Sequence, residues 1–493
     1  MHKYPRILFF AILLLLSARA QAQSTFGAIL GAVHDNTGAV VAGAQVVLTN
    51  AGTSAQRTQI SDGEGNFTFS NVDVGKYSLT ITAPGFEKYS LPEISLTARE
   101  SRRVEATLQL GADTQTVTVT EQLENVITTE VSNLAVTKTG DELVDLPVAI
   151  YSRSAGSTSP ISTLTTEAGV QTDDSGNLEV MGTTPALLSV TVDGISSVGV
   201  EYSGPVNEMF PSFNSIEEIR VSESNNNAEF SGVADITTVS KAGTNQYHGG
   251  AFENHENTVF NAGDPFTGSR PKIVMNDFGG TFGGPLTIPH IYSGKDRTFF
   301  FTSFEALRLP RQTPIVGTVP TDAMRQGDIQ DYLSATYCQP PNRAPTCVKD
   351  TDPVYQPDGL TPLNETAVQV NSTAAKMLTY LFPRQNYGDP STYSFNYRYN
   401  FPSPISSNQG DVRLDQTISA RQSIFGRFSY KNRQVVGAPD TTCGLVFCQS
   451  GGGVLQGAYN LPEIDEGMTI AHNFIFSPTL LNEFRGGYNA QHT

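Results

Sequence analysis

The chain has 493 residues, a formal net charge of −17 and a pI near 4.8, with 44 Gly, 28 Pro, 27 Phe, 18 Tyr and no Trp. That length predicts more than one domain. The charge excludes a nucleic-acid binder, which would carry a basic stripe, and the scattered Asp and Glu read as a solvated acidic surface.

The N-terminus has the layout of a secretory signal. Lys3 and Arg6 form a charged start, Ile7 to Leu16 an apolar stretch, and Ala18-Arg19-Ala20 or Ala20-Gln21-Ala22 a small-residue cleavage site, so residues 1–22 are assigned as a signal peptide. As a membrane anchor the apolar stretch is too short. No later run of about 18 apolar residues follows, so any further membrane entry is made by strands.

Residues 24–110 are punctuated by the turns Asp35-Asn36-Thr37-Gly38, Asp62-Gly63-Glu64-Gly65 and Pro84-Gly85. Between them lie seven short runs: Gly27–Val33, Ala44–Asn50, Ala55–Ser61, Asn66–Ser70, Tyr77–Thr82, Glu93–Leu96 and Arg102–Leu110. Short alternating runs at this spacing predict a small β-sandwich, with Phe67, Phe69 and Tyr77 in its core. The pattern from Gly31-Ala32-Val33 to Gly85-Phe86 resembles the carboxypeptidase-regulatory-like domain. The resemblance implies a transthyretin-like sandwich, of the carbohydrate-binding-like class, without catalysis. His34 is the only His in the segment, so no zinc set is present.

Next comes Thr116-Val117-Thr118-Val119-Thr120, a short alternating run that suits a last sandwich strand, a linker or a partner-binding strand. Residues 115–243 mix strand and helix signals. Val190-Thr191-Val192-Asp193-Gly194-Ile195 reads as strand and turn, and Ser215 with Glu218 reads as the capping box of a short helix before a strand at Ile219–Ser222. Glu217 and Glu218, adjacent in sequence, point apart, so with Asp193 they make no acid–base set.

Residues 244–493 carry seven amphipathic runs: Tyr247–Glu256, Asn276–Thr287, Arg297–Leu309, Gln409–Ile418, Gln422–Arg433, Glu466–Phe476 and Leu480–Gln491. In Arg297–Leu309 apolar groups dominate the centre and charges the ends, over a length that suits a tilted strand crossing a bilayer. Short turns (His290–Asp296, Ser419–Arg421, Ser477–Thr479) alternate with long connections (Asn257–Met275, Pro310–Asn408, Gln434–Asp465). His248 and His255 stand an odd number of residues apart, hence on opposite strand faces, and form no metal pair. Cys338, Cys347, Cys443 and Cys448 fall in two long connections. In an exported protein they suit loop-closing disulfides, for which adjacency favours Cys338–Cys347 and Cys443–Cys448.

The stretch from Asn226 to Arg308, with N-A-E-F-S-G, K-A-G-T-N-Q-Y-H-G-G-A-F, N-D-F-G-G-T-F-G-G-P and K-D-R-T-F-F-F-T-S-F-E-A-L-R, resembles the start of the barrel in Oar-like TonB-dependent receptors of the bacterial outer membrane. The resemblance implies a mainly β protein: the transthyretin-like sandwich, a mixed α/β plug domain, then antiparallel transmembrane strands of an incomplete barrel. It makes Thr116, Val117, Thr118, Val119 and Thr120 the candidate TonB box. It implies TonB and its inner-membrane energising complex as partners, contact with outer-membrane lipid, and an extracellular ligand of glycan, siderophore or peptide type. It implies no catalytic residue, metal or cofactor. Seven strands do not close the roughly 22-stranded barrel of such transporters, so the chain is expected to be a fragment of a longer receptor or a truncated product. The alternative expectation is a surface adhesin or glycan-binding outer-membrane protein without transport.

Overall fold

The computed structural model describes residues 24–111, 116–118, 133–173, 177–199, 205–226, 232–262, 272–327, 354–355, 362–363, 370–388, 396–438, 459–477 and 480–493. The signal-peptide assignment and all four cysteines lie outside the described residues.

The first module is the expected sandwich. Its strands are β1 (Gly27–Asp35), β2 (Gln45–Asn50), β3 (Gln56–Ile60), β4 (Asn66–Val72), β5 (Gly75–Thr82), β6 (Lys88–Leu96) and β7 (Ser101–Leu108). One sheet runs β4-β1-β7. The other runs β3-β2-β5-β6 and continues into β8 (Thr116–Thr118), which lies parallel to β6. Alternation turns Ile29, Leu48, Phe69, Leu79, Leu91 and Val104 into one shared core. Phe67, Phe69 and Tyr77 are buried there, so these rings offer no flat platform for a sugar.

The middle module starts with β9 (Leu134–Thr139), α1 (Gly140–Asp145) and α2 (Pro147–Ala155). Thr139 and Glu142 form a reciprocal capping box that fixes the start of α1. Gly140 is required there, because a Cβ would come within 1.9 Å of the Ile216 carbonyl oxygen. Pro147 opens α2, and Gly156 (φ +97°) closes it by donating to the Arg153 carbonyl. The rest comprises β10 (Val170–Thr172), β11 (Leu178–Val180), β12 (Leu188–Val192), β13 (Ile195–Ser196), β14 (Ile216–Ser224) and β15 (Ala234–Ser240). A five-stranded sheet of order β13-β12-β15-β14-β9 packs Val190, Ile219 and Ile236 against Leu143, Ala149, Leu164 and Phe213 of the helical segments. The expected helix from Ser215 to Glu218 does not form. Phe213–Ser215 is a single 3-10 turn and the chain then runs extended through β14, because β9 and β15 supply ladders on both its sides.

The last module is one antiparallel sheet of seven strands, each paired with the next in the order that follows. Its strands are β16 (His248–Asn257), β17 (Val274–Pro285), β20 (Thr298–Leu309), β25 (Ile405–Ser419), β26 (Gln422–Gly437), β27 (Tyr459–Ser477) and β28 (Leu480–His492). All seven expected strands are present, several of them longer, so the connection after β26 is shorter than expected. A small hairpin, β18 (Thr287–Ile288) with β19 (Tyr292–Ser293), fills the turn before β20. The long connection after β20 has structure of its own: β21 (Gln312–Gly317) pairs with β24 (Tyr397–Pro402), β22 (Val354–Tyr355) with β23 (Pro362–Leu363), and a helix α3 spans Ser372–Leu381. Arg325 donates to the carbonyls of Leu378, Phe382 and Pro383 and ties this loop together.

The sheet is inside-out relative to a soluble protein. The register places Phe282, Thr302, Val412, Phe428, Met468 and Tyr488 in one row across six strands, facing outward. Phe282, Phe428 and Tyr488 are 47–55% exposed. A neighbouring row, Glu305, Gln409, Lys431, Asp465 and Gln491, faces inward, and its first four members are buried. Apolar outside and polar inside is the pattern of a strand wall between lipid and a filled lumen. The sheet stays open, since β16 and β28 are its two outer strands. The described residues contain no helix long and apolar enough to cross a membrane.

Candidate functional site

The polar face of the strand sheet grips the middle module through buried charges, and this seam is the most chemically specialised part of the protein. The first clasp centres on α2. Its Arg153 reaches into the sheet, with Nε 2.6 Å from Asp277 Oδ2 on β17 and 3.8 Å from Glu305 Oε1 on β20. All three side chains are excluded from solvent, and the Phe213 ring covers the guanidinium at 4.3 Å.

The second clasp holds the turn between β12 and β13. Asp193 and Gly194 both have positive φ (49° and 77°), the two-residue geometry that Asp-Gly favours. Asp193 Oδ2 is 2.6 Å from Arg427 Nε and Oδ1 is 3.7 Å from Arg413 Nη1, while Ser240 donates to it through N and Oγ at 2.9 and 2.8 Å. Burial by itself raises the Asp193 carboxyl, but Arg427, Arg413 and the Ser240 bonds outweigh it and hold the group below its ordinary value. The Asp193 carbonyl accepts from Arg485 Nη1 at 2.6 Å, so three strands of the sheet hold one turn.

The third clasp surrounds Glu208. It pairs with Lys431 and lies 3.9 Å from Arg433 Nε, and Ser157 Oγ donates to it at 2.9 Å. Burial pushes its carboxyl up, and Lys431, Arg433 and the two hydrogen bonds bring it below the ordinary carboxylate value. Arg433 also donates to the Gly156 carbonyl that ends α2, and pairs with Glu463 at 2.8 Å. Between the clasps, Asp411 accepts from Ser215, Ser303 and Ser429 at 3.2, 2.9 and 2.6 Å.

The sandwich docks at the short-turn end of the sheet. Asn71 donates to Asn473, Arg485 to Thr25, and Asn245 to the Thr53 carbonyl. A cavity of about 560 Å³ remains where the sandwich, the middle module and the Ser419–Arg421 turn meet, lined among others by Asp73, Tyr77, Glu217 and His472. Asp73 opens onto this cavity yet is ringed by protein, and burial pushes its carboxyl up against the pull of Arg413.

Of the sequence-derived candidates, Thr116, Val117 and Thr118 are strand β8 on the sandwich edge, the last-strand arrangement, while Val119 and Thr120 lie outside the described residues. His248 and His255 are both exposed, and no metal-binding group of His, Cys, Asp or Glu occurs among the described residues. Sequence reasoning passed over Arg153, Glu208 and their partners. Arg153 stands between Ser152 and Ser154 and Glu208 beside Asn207, so neither carried a local signal of burial.

Comparison with known proteins follows this geometry. Residues 28–109 match the family described as carboxypeptidase regulatory-like domain, and residues 239–493, more than half of the chain, match the family described as outer membrane beta barrel domain. A curated relative, the TonB-dependent transporter Oar of Myxococcus xanthus, is 26% identical over 302 residues, which cover 58% of this chain and 27% of that protein. The chain thus spans about a quarter of the length of that relative. Similar solved structures include a ferric enterobactin receptor (PfeA) mutant from Pseudomonas aeruginosa, 12% identical with a TM-score of 0.39, covering 72% of this chain and 40% of that one. The siderophore receptor PirA from Acinetobacter baumannii is 14% identical with a TM-score of 0.40 and the same coverage. By its strand sheet, the chain belongs to the outer membrane beta barrel domain family and is an outer-membrane protein.

Proposed function

We propose that this chain acts in TonB-dependent uptake of a large or scarce solute across the outer membrane. The middle module serves as the plug of the strand wall, the long connections as the solute-facing outer loops, and the sandwich as a periplasmic domain. Domain limits near 24–110, 115–243 and 244–493 go with this reading. The observation that carries it is the seam: an α/β module held inside a lipid-facing sheet by buried ion pairs rather than by an apolar core. Such a seam is dry and specific when closed, yet its groups regain hydration when the module moves, so it suits a plug that must shift and return. No step of the cycle asks for covalent chemistry from these residues.

TonB engages Thr116–Thr120 by strand addition, in which main-chain hydrogen bonds supply affinity. The test is capture of the full chain, solubilised from outer membranes, by the immobilised periplasmic domain of TonB. Val117→Pro removes a backbone donor and breaks strand pairing, so capture is expected to fall at least tenfold at an unchanged outer-membrane level. Equal capture of both proteins overturns the assignment of the box.

A further inference from the structure

Among the described residues, the sandwich enters the middle module through a turn. The turn from β6 to β7, Thr97–Glu100, is built around Arg99, whose φ of +57° is unusual for a side chain of that size. Glu100 stiffens the turn by accepting from Thr97 N and Oγ1, both at 2.9 Å. The turn then enters the plug sheet. Ala98 N donates to Glu218 Oε1 at 2.5 Å, and Arg99 pairs with Asp235 and donates to Thr237 Oγ1 at 2.7 Å. Asp235 and Thr237 belong to β15 and Glu218 to β14, two inner strands of the five-stranded sheet, and all three side chains are buried.

The chain on either side of β8 is unequal. Upstream, Gly111 N donates to the Gly85 carbonyl and Leu110 bridges Phe86, which fixes the end of the sandwich. From Gly111 to Thr116 the backbone reaches at most about 18 Å when fully extended. Downstream, from Thr118 to Leu134, it reaches up to about 55 Å. β8 is also paired to β6, the strand that leads directly into the Thr97–Glu100 turn. Through its ladder to β6, β8 is held directly on the sandwich, whereas the downstream connection has about three times the contour length of the upstream one.

We propose that the sandwich is the first load-bearing link between the box and the plug, and that the Thr97–Glu100 turn passes the pull through Arg99 and Ala98 to Asp235 and Glu218 inside the plug sheet. The proposal rests on the reading of Thr116–Thr120 as the point of pull. It assigns the sandwich a mechanical role: force arrives at the middle of the sheet whose turn and helices carry the clasps, instead of peeling the plug from its N-terminal end. The cavity beside the docked sandwich leaves it room to move against the sheet wall.

The test is single-molecule pulling on the full chain in a supported outer-membrane bilayer. A peptide tag inserted after Thr120 is coupled to the tip, so that the load path is read without TonB. An insertion of about fifteen Gly/Ser residues between Gln122 and Leu123 lengthens the downstream tether by up to about 50 Å. It is expected to leave the extension at the first plug event unchanged, whereas Arg99→Ala is expected to shift that event outward by tens of ångströms. An outward shift caused by the insertion with Arg99 intact, or no effect of Arg99→Ala, overturns the proposal. A tip coated with the TonB domain that fails to attach, while the tag still reports these events, overturns the box and leaves the load path standing.

Discussion

Arg153 shows how much of this protein depends on single charges. It sits with Asp277 and Glu305 where no solvent reaches, so removing it strands two carboxylates. Breaking a buried pair on one side costs about 3–5 kcal/mol. Arg153→Met is expected to lower the unfolding transition of the full chain in detergent by that amount, and the triple variant with Asp277→Asn and Glu305→Gln to recover most of it. A single variant as stable as the parent contradicts the clasp. Glu218 carries a pH dependence of its own. Burial, helped by Glu217 and Glu100, pushes its carboxyl up to about 7 despite Ala98 N–H and Arg220. A raised carboxyl favours the neutral form in the docked state. The contribution of Glu218 to docking of the sandwich is therefore fully present below the ordinary value of 4.5 and is lost as pH rises through about 7, an effect of roughly 3 kcal/mol. Hydrogen exchange at Thr97–Glu100, corrected for intrinsic rates, is expected to speed up from pH 5 to pH 8, and Glu218→Gln to abolish that trend. A flat wild-type profile rules it out.

At the scale of elements, local chemistry was readable where it was complete within a few residues. The three sandwich turns and the Asp193-Gly194 turn announced themselves. The capping box Thr139–Glu142, which the sequence analysis did not single out, formed at the start of α1. Ser215 with Glu218 imitated the same signal, and there the ladders from β9 and β15 overrode it. Packing between elements was not visible. Gly140 touches the backbone of β14, over seventy residues away in sequence. Gly140→Val drives a side chain into that carbonyl, which backbone cannot readily evade. The expected loss is about 2–4 kcal/mol, in the upper range for single substitutions, read as a lower midpoint in thermal unfolding. An unchanged midpoint would mean that α1 does not pack on β14 as described.

For the whole molecule, the inside-out sheet makes a prediction that separates it from any soluble β protein. Phe428 lies near the middle of β26 and is 47% exposed. On a water-facing surface Phe428→Arg changes stability by about 0.5 kcal/mol or less. On a lipid-facing strand near the bilayer midplane it costs about 2–4 kcal/mol. Equilibrium folding of the full chain into lipid vesicles measures which of the two holds, and a near-zero effect would remove Phe428 from the lipid face.

The sequence by itself determined the three-part order, the sandwich and its core, the seven strands and the two faces of each strand. Those properties follow from periodicity and turn chemistry, which act over a few residues. Only the tertiary structure decided that Arg153 meets Asp277 and Glu305, that Arg413 and Arg427 close on Asp193, and that Arg99 enters the sheet of the middle module. In the linear chain each of those charges resembles an ordinary solvated residue. What gives it a partner is burial between modules, and burial is a property of how distant segments meet.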